Sequence, residues 1–457
     1  MDNSDIHNLA EFCLNLIEHK NLDIKCTDLF FEENKYINIE IEENSIKNNE
    51  IGEDNGVSIR VINKNGALGF AYTNKLNRNT IEKMCKIAIK MMNMGTPDPD
   101  FKDLPDIFNH YPSVKDLFDK NLKNIEIEDT LNYVNDLIKI CAEDAMAISQ
   151  SGNFATSYSK TYIFNSNGLK ALRRDTSCLI SSNIIVKDKL SNETSSGSER
   201  QVERSLNKIN STNVAKLALE DAKRNLNRKK IKSMKVPVFL TPKGTISLIL
   251  KPIAAAVNAE TFQYKRGFLV GKRGQKIGSR LLNIEDNGLL DGAPGSQIFD
   301  DEGVPCKDKK IIEGGKFLET GLLHNSYTAG KDGVESSGNA SRSSYSSIPS
   351  IGITNFIMKP GDMTLEEIIK DIKDGIMLDY TGDSVNLSTG DFSGLILRGN
   401  FIKNGEIKYP LNETMIGINI MDLFKKIDAV SKEYKVYGAF QAPYVRIDSA
   451  NIIGGAD

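Results

Sequence analysis

Apolar and polar positions change period several times along this chain, and each change marks an element. Residues 5–19 place Ile6, Leu9, Ala10, Phe12, Cys13, Leu16 and Ile17 on one helical face. Asn3 or Ser4 is available to cap its start. Residues 24–32 and 36–42 read as two strands. In the second, Ile37, Ile39 and Ile41 alternate with Tyr36, Asn38, Glu40 and Glu42, the pattern of a half-buried strand. Residues 57–61 and 68–72 pair through Asn65 and Gly66, a strong hairpin signal. A helix over 79–94 ends at Gly95, with Pro97 and Pro99 beyond it.

A second run of helix and strands starts at Ile125. Residues 130–146 are helical, with Leu131, Val134, Leu137, Ile138, Ile140 and Cys141 on the buried side. Strands follow over 147–201, with a turn at Asn165 to Gly168 and a further strand at 181–186. Residues 191–200 are polar on both faces, as an edge or interface strand would be. A helix over 214–226 runs into a basic linker of Lys223, Arg224, Arg228, Lys229, Lys230 and Lys232. The domain boundary is expected there, giving 1–232 and 233–457, with a possible subdivision near 110–125. The repeated order suggests a duplication, although no residue-level repeat accompanies it.

The second half is strand-rich. A strand over 236–240 leads into a helical run through Ala256. Residues 364–375 read as the clearest helix, with Thr364 as cap, Glu367 at the third position and Gly375 as stop. Residues 395–402 and 406–409 flank Asn404 and Gly405 as a second hairpin. Residues 416–430 read as a helix and 444–453 as a final strand. Segregated runs of helices and strands predict an α+β architecture in two domains.

Composition narrows the class. The chain has 457 residues, too many for one ordinary core. It is 40% hydrophobic and 26% charged, the balance of a folded soluble protein. A net charge of −3 gives no basic footprint for nucleic acid beyond the run at 223–232. The acidic, polar start argues against a signal peptide, and the longest apolar run, 246–257, contains Lys251 and Pro252, so no membrane span is expected. Six scattered cysteines without a Cys-x-x-Cys pair fit a reduced cytoplasmic protein.

The most informative stretch is Phe299, Asp300, Asp301, Glu302, Gly303, Val304 and Pro305. Three consecutive carboxylates run into a Gly and a Pro that together turn the chain sharply. Such a turn is either solvated or tied to backbone amides and arginines, with Arg266 or Arg273 as the expected partners. Calcium is the other reading, but adjacent carboxylates converge poorly and no EF-type spacing exists.

The surrounding residues carry a resemblance. Gly274 to Asp286, the acidic turn, and Ile312 to Lys316 with Leu318 come in order. They are followed by Tyr327 to Ala329, Ser337 to Ala340, Thr354 and Asn355, and Pro360 to Asp362. Glu366 to Ile369, Asp374 to Ile376, Thr389 to Ser393 and Lys403 to Ile407 complete the series. Order and spacing resemble the TldD/PmbA (TldE) family, once called modulators of DNA gyrase and understood as cytosolic metalloprotease subunits. The first half matches more loosely, through residues 56–61 and 66–71.

The resemblance implies one of two branches. TldD-like chains carry His-Glu-x-x-x-His ahead of the segment matching Gly274, and a late cysteine completes their zinc site. Here Leu250 and Ala255 occupy the histidine positions and Lys251 the glutamate position, and no cysteine follows Cys306. Leucine and alanine offer no lone pair to zinc, and an ammonium cannot act as the carboxylate base. The chain therefore resembles the PmbA/TldE branch. That implies no catalytic residue and no cofactor in this chain, with zinc in a TldD-like partner; the pair is a heterodimer, or this chain a homodimer. Flexible peptides are the implied substrate. Candidate peptide- or partner-binding residues are Asp300, Asp301, Glu302, Gly303, Ser337, Gly338, Asn339, Asp391, Phe392 and Ser393.

Other constellations carry less. Gly271, Gly274 and Gly278 lack the spacing of a phosphate loop and read as a strand turn. Cys306 and His324 form a cysteine-protease pair only if the fold brings them together. His7, His19 and His110 have no partner at ligand spacing. The Ser-rich stretch 335–350 is a loop contacting peptide or partner, or a flexible connector. Three functions follow: a zinc-free subunit of a two-chain peptidase, an independent hydrolase using Cys306 or carboxylates, and a gyrase-modulating or other peptide-binding protein without protease activity. The first is preferred, with peptide adding to an exposed strand of the second half.

Overall fold

The alternation at residues 36–42 belongs to a longer element. In the computed structural model, which describes residues 3–19 and 23–455, one strand, β1 (Ile24–Glu42), replaces the two expected. Residues 33–35 stay extended because β1 is paired on both sides along its length, to β2 (Ser45–Asn63) and later to β4. Glu43 and Asn44 make the tight turn between β1 and β2, both at positive φ. The Asn65–Gly66 hairpin forms as read and leads to β3 (Leu68–Thr73), with the Asn63 side chain accepting from the Asn65 and Ala67 amides.

The first half continues α1 (Asn3–Glu18), α2 (Arg78–Met94), α3 (Lys120–Lys123), α4 (Ile127–Ala142), β4 (Ala147–Asn165), β5 (Lys170–Lys187), β6 (Thr194–Glu203) and α5 (Ser211–Arg224). The six strands form one antiparallel sheet in the order β3-β2-β1-β4-β5-β6. The β1–β4 ladder, from Asp28 to Ile41, therefore joins the stretches on either side of residues 110–125 in a single sheet. All four longer helices cover one face. α1 and α2 pack on Leu29, Phe31 and Ile59, and α4 and α5 pack on Ile37, Ile39, Ile180 and Ile184. Because side chains alternate, the opposite face presents Asp28, Phe30, Glu32, Arg173, Asp175, Ser181 and Asn183. That face meets the second half of the chain.

The second half opens with β7 (Met234–Leu240) and a helical wall: α6 (Pro242–Thr245), a π-helical turn (Ile246–Leu250) and α7 (Lys251–Ala256). There follow α8 (Ala259–Gln263), β8 (Ile284–Asn287), β9 (Asp308–Glu313), β10 (Lys316–Phe317), α9 (Ser326–Asp332), β11 (Ala340–Ser341), β12 (Ser350–Ile351) and β13 (Phe356–Met358). The chain ends with α10 (Leu365–Lys370), β14 (Asp374–Thr381), β15 (Asp391–Lys403), β16 (Glu406–Pro410), β17 (Met415–Asn419), α11 (Ile420–Lys425), β18 (Ile427–Tyr437) and β19 (Phe440–Ile453). β7 pairs with both β14 and β19, so β7, β14, β15, β17 and β19 close into a small barrel. The helical wall packs on it through Leu248, Ile249 and Ile253.

The architecture is the mixed α+β one expected, but in the second half two elements differ. Residues 416–430 are strand, one short helix and strand rather than one helix. Asn419 caps α11, and the apolar flanks are drawn into pairing with β15 and β19. The helix at 364 has its capping box between Thr364 and Glu367, yet ends at Lys370; Gly375 lies inside β14, where a Cβ would meet the Pro237 carbonyl at 3.0 Å. Among the described residues, no helix is long and apolar enough to cross a membrane.

Candidate functional site

The acidic turn lies at the contact between the two halves. Its carboxylates are buried, at 0%, 7% and 3% exposure for Asp300, Asp301 and Glu302. Asp300 accepts the amides of Glu302, Val304 and Ala340. Asp301 takes Arg173 Nη2 at 2.6 Å and the Arg342 amide at 2.6 Å. Glu302 takes Arg60 Nη2 at 2.9 Å and the Ser326 amide at 2.8 Å. Asp28 bridges Arg60 (Nε, 2.5 Å) and Arg342 (Nη2, 2.8 Å). Asp175 pairs with Arg173, and Arg204 lies 3.7 Å from it. Four arginines thus face Asp28, Asp175, Asp301 and Glu302.

Electrostatics within this joint follow from burial. Burial, then the neighbouring Glu302, pushes the Asp300 carboxyl up to about 7 against the pull of its three amide donors. Against the cost of burial, Asp28 and then Glu302 hold the Arg60 guanidinium above its ordinary range. The arginines expected from sequence, Arg266 and Arg273, instead lie over the rings of Tyr264 and Phe262. Gly303 has φ +84° and Gly338 φ +72°, conformations that L side chains resist.

The fold brings Ser337, Gly338 and Asn339 to this turn. Ser337 Oγ bonds Asn339 Oδ1 at 2.7 Å, and Asn339 Nδ2 donates to Asp286 Oδ2 at 2.8 Å. The Ser-rich stretch is an ordered hairpin of β11 and β12 that reaches the first sheet: the Tyr345 hydroxyl donates to Asp54 at 2.9 Å. Asp391, Phe392 and Ser393 are elsewhere, at the start of β15. Asp391 is exposed and takes Asn419 Nδ2 at 2.8 Å, while Phe392 is in the barrel core. Cys306 and His324 do not pair. Cys306 Sγ faces the Gly338 carbonyl, and burial, then Asp300, pushes its thiol up to about 12. His324 turns Nδ1 to Thr328 and Nε2 toward Asp332.

The open space lies further along the same sheet face. A cleft of about 700 Å³ separates β4, β5 and β6 from the helical wall and barrel. Its floor is hydroxyl- and amide-rich: Ser151, Ser181, Asn183 and Ser198 follow from the alternation that sends Ile180 and Ile184 to the helix side. Gly197 lets β6 lie close on α5, since a Cβ there would meet the Ala218 carbonyl at 2.2 Å. The wall contributes Lys243, Ile246, Ser247 and Lys251, and the barrel side Tyr380, Arg398, Tyr437 and Phe440. Lys243 pairs with Glu199 at 3.2 Å and donates to the Ser198 carbonyl at 2.9 Å. Arg398 pairs with Asp221 at 3.0 Å and donates to Ser198 Oγ. Burial, then Glu199, raises the Tyr437 phenol.

Of the residues singled out in the sequence, Lys251 alone lines this cleft; the ten binding candidates do not. Leu250 is fully buried in the core and Ala255 is exposed without a donor. The lining holds no His or Cys, and its single carboxylate, Glu199, is already engaged by Lys243 and Tyr437. This donor set does not fit zinc. Glu199, Lys243 and Arg398 escaped the sequence reading because nothing local links them. The signal present was residues 191–200, polar on both faces, which form most of β6.

Comparison with known proteins places the chain. Residues 233–454 match the PmbA/TldA metallopeptidase C-terminal domain, 27–92 its domain 1 and 120–226 its central domain. A metalloprotease of Methanocaldococcus jannaschii is 29% identical over 406 residues, covering 87% of this chain and 88% of that one. A metalloprotease PmbA homolog of Buchnera aphidicola is 26% identical, covering 99% and 98%. The fold is that of TldE from Thermococcus kodakarensis, with a TM-score of 0.86 at 22% identity over 98% of this chain and 100% of that one. On these matches the chain belongs to the PmbA/TldD metallopeptidase family.

Proposed function

We propose that this chain is the zinc-free, TldE-type subunit of a two-chain cytoplasmic peptidase, holding flexible peptide while a zinc-bearing family member cuts it. The observation that carries this reading is the helical wall. Where TldD-like chains are expected to bear two imidazoles and a carboxylate, the wall turns Lys251 into the cleft, buries Leu250 and offers a methyl group at Ala255. No metal-activated water can be held by that set. The hydroxyl-rich floor supports a peptide-holding role, since it can bond main-chain groups without demanding a sequence. All six thiols are free and buried, which fits a reducing compartment. The cysteine-hydrolase alternative loses its pair, because Cys306 and His324 face different partners.

The test is a peptidase assay on this chain alone, on a His-Glu-x-x-x-His family member alone, and on the two mixed, with zinc quantified in each. Cleavage and zinc confined to samples containing the second chain, with cleavage rising on mixing, is the expected result. Chelator-sensitive cleavage by this chain alone would overturn the reading.

A further inference from the structure

The charge inventory of the cleft is the reverse of the chain's. The chain carries a net charge of −3, yet the cleft is lined by Arg200, Lys243, Lys251 and Arg398 against one carboxylate, Glu199. Two of these cations are committed, Lys243 to Glu199 and Arg398 to Asp221. Lys251 on the helical wall and Arg200 on β6 are exposed, and among the described residues their side chains have no ion pair or hydrogen bond. Two unneutralised cations sharing a concave site create a positive potential that an anion relieves. The rest of the lining specifies which anion. Hydroxyls suit a main chain, and Ile246, Tyr380 and Phe440 suit side chains.

We propose that the cleft recognises a carboxylate of the bound peptide, with Lys251 and Arg200 as the groups that receive it. This rests on the peptide-holding reading above and adds a substrate preference to it. Lysine and arginine donate charge-assisted hydrogen bonds to a carboxylate, about twice as strong as neutral ones. The carboxylate is either the free C-terminus of the peptide or an acidic side chain within it.

The test uses the full chain and calorimetric titration with three unlabelled, N-acetylated hexapeptides of one neutral sequence. One has a free C-terminus, one is amidated, and one is amidated with a single internal Glu. The expected result is binding of all three, with one or both carboxylate peptides bound roughly tenfold tighter than the neutral amide. That advantage should shrink in high salt and vanish in Lys251→Gln or Arg200→Gln. Which carboxylate peptide gains identifies the source. Equal binding of all three overturns the carboxylate inference and leaves the peptide-holding reading standing. Binding of none overturns both. An advantage that survives both substitutions overturns the assignment to Lys251 and Arg200.

Discussion

Asp28→Asn tests the ionic joint between the halves. Asp28 is the shared partner of Arg60 and Arg342, and the three side chains are 4%, 7% and 0% exposed. Asparagine keeps the shape but removes the charge, leaving Arg60 with Glu302 as its remaining ion-pair partner and Arg342 without one among the described residues. Removing one member of a buried charge network costs about 3–5 kcal/mol. Lys310 and Glu313 provide the control: their ion pair is equally short, 2.5 Å, but both side chains are 55% exposed. Such a pair is worth about 0–1 kcal/mol. At about 2–4 °C per kcal/mol for a unit of this size, Asp28→Asn should melt on the order of 10 °C lower and Glu313→Gln within about 4 °C of the parent. Differential scanning calorimetry measures both, and reports whether the halves now melt separately. Adding Arg342→Gln to Asp28→Asn should cost less than the sum of the two changes. A melting temperature for Asp28→Asn no lower than that of Glu313→Gln would refute the reasoning.

Asp300 gives a pH signature. Its carboxyl titrates at about 7 in the fold against an ordinary value of 3.8, so the stability this contributes is complete below about pH 4 and is lost as pH rises through about 7. Urea midpoints from pH 4 to 8 should show that loss in the parent, and the slope should flatten in Asp300→Asn. Gly338→Ala should destabilise by about 1–3 kcal/mol, because φ is +72° and the new Cβ would lie 2.6 Å from the Pro305 carbonyl; urea unfolding reads it. Thr364→Ala removes the α10 cap and should cost about 1 kcal/mol in the same assay. Cys306, with its thiol pushed up to about 12, should resist iodoacetamide at neutral pH until the chain is unfolded, as mass spectrometry of the labelled protein would record.

Local features were legible in the sequence. The Asn65–Gly66 and Asn404–Gly405 hairpins, the Thr364 capping box and the helix at Arg78–Met94 are each written in a few adjacent residues. Where pairing partners decide, local reading fails. Residues 33–35 lack an apolar pattern but stay extended because strands flank them on both sides. Residues 416–430 have helical content, yet pairing with β15 and β19 draws both ends into strands. The acidic turn was visible as a constrained feature, but Arg60, Arg173 and Arg342 were not, since they come from three distant segments. The cleft is least legible of all, because its floor is the second face of strands whose helix-side residues dominate the pattern.

The joint also has a consequence for biosynthesis. Asp28 and Arg342 are 314 positions apart. At ribosomal rates of about 5–20 residues per second, the second arginine follows the aspartate by roughly 15–60 s. Once Glu203 completes β6, the six-stranded sheet can assemble, and for roughly 7–28 s at the same rates its second face keeps Phe30 and the charges around it without their cover. A nascent or prematurely ended chain is thereby distinguishable from a finished one by that uncovered face.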